Sequence, residues 1–183
     1  RCITRFFFFV IEANQRIHLP ETIERGNILL NGGATVNVRG DGDSSIRVMA
    51  QNLELREASQ IIAGIASNSA SGITAGDIVI EAVTLSLLDG AVLDASTFGA
   101  GNAGQIRVNA REILIQGENS EATASRITSQ VGLQAAGNSG GIVIEAETLS
   151  LLDGAVLDTS TFGAGEAGQI QVNAREILIR GEN

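Results

Sequence analysis

Paired aspartates are the residues of this chain best suited to chemistry. Asp89 and Asp94 lie close together in the sequence, and Asp153 and Asp158 repeat their spacing. Two carboxylates on one outer face of a β-structure can bind calcium, or can divide acid and base work in glycan cleavage. Asp89 and Asp153 each precede a glycine, however, and an Asp-Gly pair between apolar segments is typical of a tight turn. The sequence therefore predicts turn positions for these aspartates and no catalytic residue.

Three further motifs resemble ligand sites only in part. The run 99–104 is rich in glycine like a phosphate loop, but no helix is expected after it and the chain has no Lys. The runs 40–43 and 163–168 do not sustain the nine-residue repeat that binds calcium in secreted proteins. His18, the only histidine, has no second His or Cys nearby to complete a zinc site. We expect no cofactor and no bound metal.

Two recurring surface motifs could bind a ligand without catalysis. Phe98 and Phe162 recur in equivalent positions, where they either cover a corner or stack against a sugar ring. Ser96-Thr97 and Ser160-Thr161 could form a flat glycan-binding or ice-binding ladder, but Gln130-Val131 interrupts it. We expect the corner role for the phenylalanines and no continuous ladder.

Composition excludes several classes of function. The 183 residues contain 12 Arg, no Lys and 21 Asp or Glu, which gives a net charge of −9. Because the arginines are spread along an acidic chain, nucleic-acid binding is not expected. The apolar run 6–11 is too short to cross a membrane as a helix and lacks a small-residue cleavage site for a signal peptide. Cys2 has no partner for an internal disulfide.

The elements that must position these residues are repeats. Residues 76–119 return as 140–183, an offset of 64 residues, with 38 of 44 positions identical. Inside this period, an Ile-x-Val/Ile-x-Ala strand recurs five times with spacings of 32, 28, 36 and 28 residues, beginning at Ile46, Ile78, Ile106, Ile142 and Ile170. Each copy is followed by a Leu-x-Leu or Ile-x-Ile strand and then by a third short apolar segment.

Three alternating five-residue strands per unit predict one turn of a three-sided coil. We predict an all-β fold, a right-handed parallel β-helix of about five rungs over residues 28–183, where a rung is one turn of the coil. An antiparallel sandwich is the main alternative, and a leucine-rich repeat is disfavoured because its Leu/Asn frame and helix are missing. Residues 1–27 are predicted to be an irregular leader, with Phe6 to Phe9 either capping the coil or disordered. The coil is predicted to be open at its C-terminal end, as in an excerpt of a longer protein.

The stretch 140–163, followed by Gly165-Glu-Ala-Gly-Gln-Ile170, resembles the repeats of filamentous-haemagglutinin-like proteins, particularly the large cyanobacterial ones. The resemblance covers about residues 28–183. It implies a right-handed β-helical shaft, two-partner secretion through an outer-membrane partner, a secreted or cell-surface location and an adhesive role. It also implies stacking with further repeats of the same chain and host or surface glycans as adhesion targets. We therefore expect a non-enzymatic shaft segment, with a pectate-lyase-like polysaccharide enzyme and a passive glycan or ice binder as alternatives.

Overall fold

A computed structural model describes residues 9–12, 24–67, 69 and 72–181. Every regular element in these residues is a β-strand. The strands are β1 (Phe9–Glu12), β2 (Asn27–Leu30), β3 (Thr35–Asn37), β4 (Ser45–Met49), β5 (Asn52–Leu55), β6 (Gln60–Ile62), β7 (Ile73–Thr74), β8 (Ile78–Leu88), β9 (Val92–Asp94), β10 (Gly101–Asn102), β11 (Ile106–Gln116), β12 (Arg126–Thr128), β13 (Ile142–Leu152), β14 (Val156–Asp158) and β15 (Ile170–Arg180).

The recurring isoleucine strands stack in parallel and in register. Ile46 pairs with Ile78, Ile78 with Ile106, Ile106 with Ile142 and Ile142 with Ile170, in the sheet order β4-β8-β11-β13-β15. The first four of these side chains are at most 1% exposed. The predicted interior column is therefore confirmed, and the fold is a parallel β-solenoid of about five turns.

The first two predicted strands of each rung join into one eleven-residue strand in β8, β11, β13 and β15. The inward positions of β8 are Ile78, Ile80 and Ala82 and then Leu85 and Leu87, so the two-residue alternation loses its phase near Val83. Two consecutive residues point outward at such a break, because the backbone must bend before it can return to the interior. The two segments thus occupy two faces of the rung although no turn separates them.

The third segment of each rung forms a second parallel sheet in the order β3-β6-β9-β12-β14. Beyond it, the stack continues through single-residue parallel bridges that join Gly40, Ile65, Thr97, Val131 and Thr161. Leu93 and Ile127 pair across this sheet and are both fully buried. Each fully buried aliphatic side chain of this kind stabilises the fold by roughly 1.5–3 kcal/mol.

The two ends of the stack differ. At the N-terminal end, β1 pairs antiparallel with β4 and β2 pairs in parallel with β5, so both halves of that sheet edge are covered. At the C-terminal end, β15 pairs only with β13 among the described strands. Residues 1–8 and 13–23 of the predicted leader, which include Phe6 to Phe8 and His18, lie outside the described residues, as do the ring contacts by which the capping interpretation would be judged.

Candidate functional site

The aspartates singled out for chemistry lie at turns. Asp89 and Asp153 have φ of 52° and 51°, and each is followed by a glycine that also has positive φ. The residue after the glycine donates its N–H to the carbonyl of the residue before the aspartate, at 3.1 Å in the first turn and 3.2 Å in the second. Positive φ at both central residues defines a tight reversal that favours Asp-Gly and Asn-Gly pairs. The turn interpretation of Asp89 and Asp153 is confirmed by this geometry.

The second aspartate of each pair terminates a strand. The carboxylate of Asp94 accepts the N–H of Ser96 at 2.8 Å, and that of Asp158 accepts the N–H of Ser160 at 2.7 Å. Burial opposes ionisation of Asp158, but hydrogen bonds from Ser160 and Gln130 outweigh it, and the pKa of this carboxyl is lowered. A carboxylate held ionised by several donors is a poor general acid, since it releases its proton below the usual range.

Acidic side chains do converge near one corner. Glu57, Asp89, Glu118 and Glu121 line an open surface pocket of about 470 Å³. All four acidic residues are exposed, so water solvates their negative charges. Within the described residues, no group of three or more His, Cys, Asp or Glu side chains is arranged to hold a metal ion.

The glycine-rich run 99–104 serves close packing between rungs. A Cβ atom on Gly104 would lie 2.1 Å from the carbonyl oxygen of Gly76, and one on Gly101 would lie 2.5 Å from that of Ile73. Backbone carbonyls of the preceding rung therefore occupy the space that a side chain at either position would need. This crowding is the physical reason for glycine here.

Phe98 packs at a corner, although 41% of the residue remains exposed. The guanidinium of Arg39 lies 4.8 Å from the centre of the Phe98 ring, and Gly132 of the next rung lies so close that a Cβ on it would be 2.6 Å from Cδ1. Arg39 also pairs with Asp94, so one arginine joins the strand end and the corner. Phe162, in the equivalent position, is 57% exposed.

The first copy of the serine and threonine motif is internal, whereas Ser160 and Thr161 of the second copy are half-buried. Ser96 and Thr97 are almost fully buried, and the Ser96 hydroxyl accepts the N–H of Gln130 in the next rung at 2.9 Å. Thr97 bridges to Val131 and Val131 to Thr161, in agreement with the predicted interruption of the ladder. A buried hydroxyl cannot present a flat outer surface to a glycan or to ice.

The outer face of the long sheet carries exposed charge pairs between rungs. Arg111 Nε lies 3.8 Å from Glu147 Oε1. Exposed pairs of this kind contribute about 0–1 kcal/mol each. Sequence reasoning missed Arg39, because it lies outside the 64-residue repeat and 55 residues from its partner Asp94.

By its fold, the chain belongs to the class of parallel β-solenoids. The residues that the sequence singled out for chemistry form turns and contacts between successive rungs. No family model, curated protein or solved structure matches the chain. Among the described residues there is no helix of the length and apolarity that a membrane span requires.

Proposed function

We propose that this chain is a non-enzymatic structural and adhesive shaft segment of a large secreted or surface-exposed protein of the filamentous-haemagglutinin-like type. The main support for this proposal is that the recurring residues stabilise turns and contacts between stacked rungs. The aspartates hold turns, the glycines admit neighbouring carbonyls and the buried hydroxyls join successive rungs. A protein whose function is to extend a long way from its attachment point would use its side chains in this manner, whereas an enzyme would use some of them for catalysis.

The dimensions of a rung support a role in reach. Parallel strands stack at about 4.8 Å, so one 64-residue repeat of two rungs adds about 10 Å of length. A shaft of about 100 Å would then need about ten such repeats. A shaft function therefore implies that the parent protein is large.

The proposed partners follow from the resemblance. An outer-membrane transporter would export the parent protein, surface glycans are the adhesion targets, and no nucleic acid is expected. The acidic balance of the chain, −9, agrees with the last point because phosphate backbones would be repelled.

The location of the protein on intact cells of the source organism tests this proposal. Antibodies raised against residues 24–181 should label unpermeabilised cells, and deletion of the outer-membrane transporter should abolish that labelling. Labelling that appears only after permeabilisation would contradict the proposal. The enzyme alternative is tested in parallel by incubating the chain with acidic and neutral polysaccharides, where we expect no new reducing ends.

A further inference from the structure

The C-terminal edge of the stack consists of β15 and has a defined hydrogen-bonding pattern. Each recurring isoleucine donates its backbone N–H to the next rung, with acceptor carbonyls on Asp77, Gln105, Gly141 and Gln169 at 2.9–3.1 Å. Ile170 is the next member of this series, and in the described part of the chain its N–H faces the open edge. The backbone groups of this edge can therefore pair with a further parallel strand in the same register.

The chain itself contains a covered copy of this edge. β11 and β15 differ at only two of eleven positions, Arg107/Gln171 and Gln116/Arg180. β11 is covered by β13, and its Ile113 is 2% exposed, whereas the equivalent Ile177 of β15 is 51% exposed. The partner of β11 therefore indicates what kind of strand covers this sequence.

The two kinds of strand alternate through the stack. We call β8 and β13 the Glu-Ala strands, after Glu81-Ala82 and Glu145-Ala146, and β11 and β15 the Asn-Ala strands, after Asn109-Ala110 and Asn173-Ala174. The sheet order β8-β11-β13-β15 alternates between them without exception.

Charge on the outer face distinguishes the two possible neighbours of β15. Between β11 and β13, Arg111 faces Glu147, and Gln116 Nε2 donates to Asp153 Oδ2 at 2.7 Å. A second Asn-Ala strand placed on β15 would instead put arginine beside Arg175 and glutamate beside Glu176, about 4.8 Å apart. Like charges directly opposite each other destabilise strand pairing.

Steric fit at the corner adds a separate restriction, which concerns the Glu-Ala rungs. Phe98 and Phe162 belong to the rungs of the Glu-Ala strands, and Gly132 occupies the same position in the Asn-Ala rung between them. The Phe98 ring fills the space in which a side chain on Gly132 would lie. Two Glu-Ala rungs in succession would place a second phenylalanine in that space, so one Glu-Ala rung is not expected to follow another directly.

From the charge pairs and the alternation of the two strand types, we propose that the C-terminal edge at β15 is a selective acceptor for a Glu-Ala strand, supplied by a further copy of the 64-residue repeat. The stack then grows in pairs of rungs. This inference rests on the proposed function, in which further repeats stack on the shaft, and it adds the rule that decides which rung is accepted.

The test compares two extensions of the complete chain. Both continue after Asn183 with a copy of residues 120–139, since residues 117–119 and 181–183 are the same Gly-Glu-Asn sequence. One then adds a copy of 140–152, which carries a Glu-Ala strand, and the matched control adds a copy of 168–180, which carries an Asn-Ala strand of equal length. Hydrogen exchange of the Ile170 amide is measured by NMR in both, with the interior amide of Ile106 as the reference for an intact stack.

We expect exchange at Ile170 to be at least about tenfold slower in the Glu-Ala extension than in the Asn-Ala control. Equal protection in the two proteins, or better protection in the control, would overturn the selective edge while leaving stacking of further repeats in place. Exchange at Ile170 as fast as in the unextended chain for both extensions would overturn the selective edge and would also count against the proposed shaft.

Discussion

At the scale of single residues, backbone conformation explains the turn sequences. The corner occupied by Asp89 and Gly90 is formed one rung earlier by Glu57 and Ala58, whose φ values are 53° and 59°. The N–H of Ala58 donates to the carbonyl of Asp89 at 2.9 Å, so stacking holds this turn in place. A left-handed conformation costs a residue with a Cβ roughly 1–2 kcal/mol relative to glycine.

Ala58→Gly should therefore raise the free energy of unfolding by about 0.5–1 kcal/mol, after the greater chain entropy of glycine in the unfolded state is subtracted. Gly90→Ala is the matched opposite change. It should lower stability by about 2 kcal/mol or more, since the new Cβ would lie 2.9 Å from the Thr123 carbonyl oxygen. Urea denaturation measures both changes, and a destabilising Ala58→Gly would refute the role assigned to φ.

Asp158 makes a pH-dependent contribution to stability. Because the pKa of its carboxyl is lowered in the folded chain, the carboxylate stabilises the fold above the ordinary carboxyl range. This stabilisation is lost as the pH falls through the lowered pKa. Asp158→Asn should cost about 1 kcal/mol at pH 7, and the difference from the unmodified chain should shrink toward zero in acid.

Urea titrations at a series of pH values measure this difference. Ser160→Ala removes one hydroxyl donor to Asp158, so we expect it to reduce the pH-dependent part while leaving the backbone hydrogen bond in place. A cost of Asp158→Asn that stays constant, or grows, as the solution is acidified would be inconsistent with the assigned hydrogen bonds.

For the strands, the contribution of a side chain to stability depends on whether a neighbouring strand covers it, and not on the local sequence alone. Ile113 and Ile177 occupy the same place in two nearly identical strands, and β13 covers only the first on its C-terminal side. Ile113→Ala should cost about 2–5 kcal/mol because it leaves a cavity in the core. Ile177→Ala should cost less than about 1 kcal/mol, since half of that side chain is exposed.

Thermal and urea unfolding of the two variants check this pair of values. The matched sequences remove differences of local propensity, so a gap between the two costs reports burial alone. Equal costs would mean that the end of the stack is not open in the way that its exposed isoleucines indicate.

Strand positions and register could be predicted from the sequence because the isoleucine motif recurs with an unmistakable alternation. The union of the first two strands could not be predicted in the same way. Ala82 and Leu85 are inward positions with two residues between them, which suggests a turn in the sequence, but the chain continues there as one strand. The bend depends on stacking with the same bend in neighbouring rungs, which local sequence does not encode.

At the scale of the whole molecule, the solenoid follows from the repeat and the site does not. A stack of equivalent rungs buries one continuous core, so a few register pairs define the architecture. The corner that joins Arg39, Phe98 and Asp94 could not be foreseen, because Arg39 lies outside the repeat and reaches its partners only through the coil. The roles of Asp89 and Asp153 could be predicted, because the Asp-Gly turn signal is local.

Successive repeats stack in parallel along one axis, and distances between spin labels measure this stacking. Arg47, Arg107, Val143 and Gln171 share one outward column, so labels at Arg47 and each of the others should be separated by two, three and four rungs. With Cys2 replaced by Ser, pulsed electron paramagnetic resonance should give mean distances that increase by about 4.8 Å per rung, reaching about 19 Å for Arg47 and Gln171. Distances that do not increase with rung number, or that reach several times these values, would contradict the stacked solenoid.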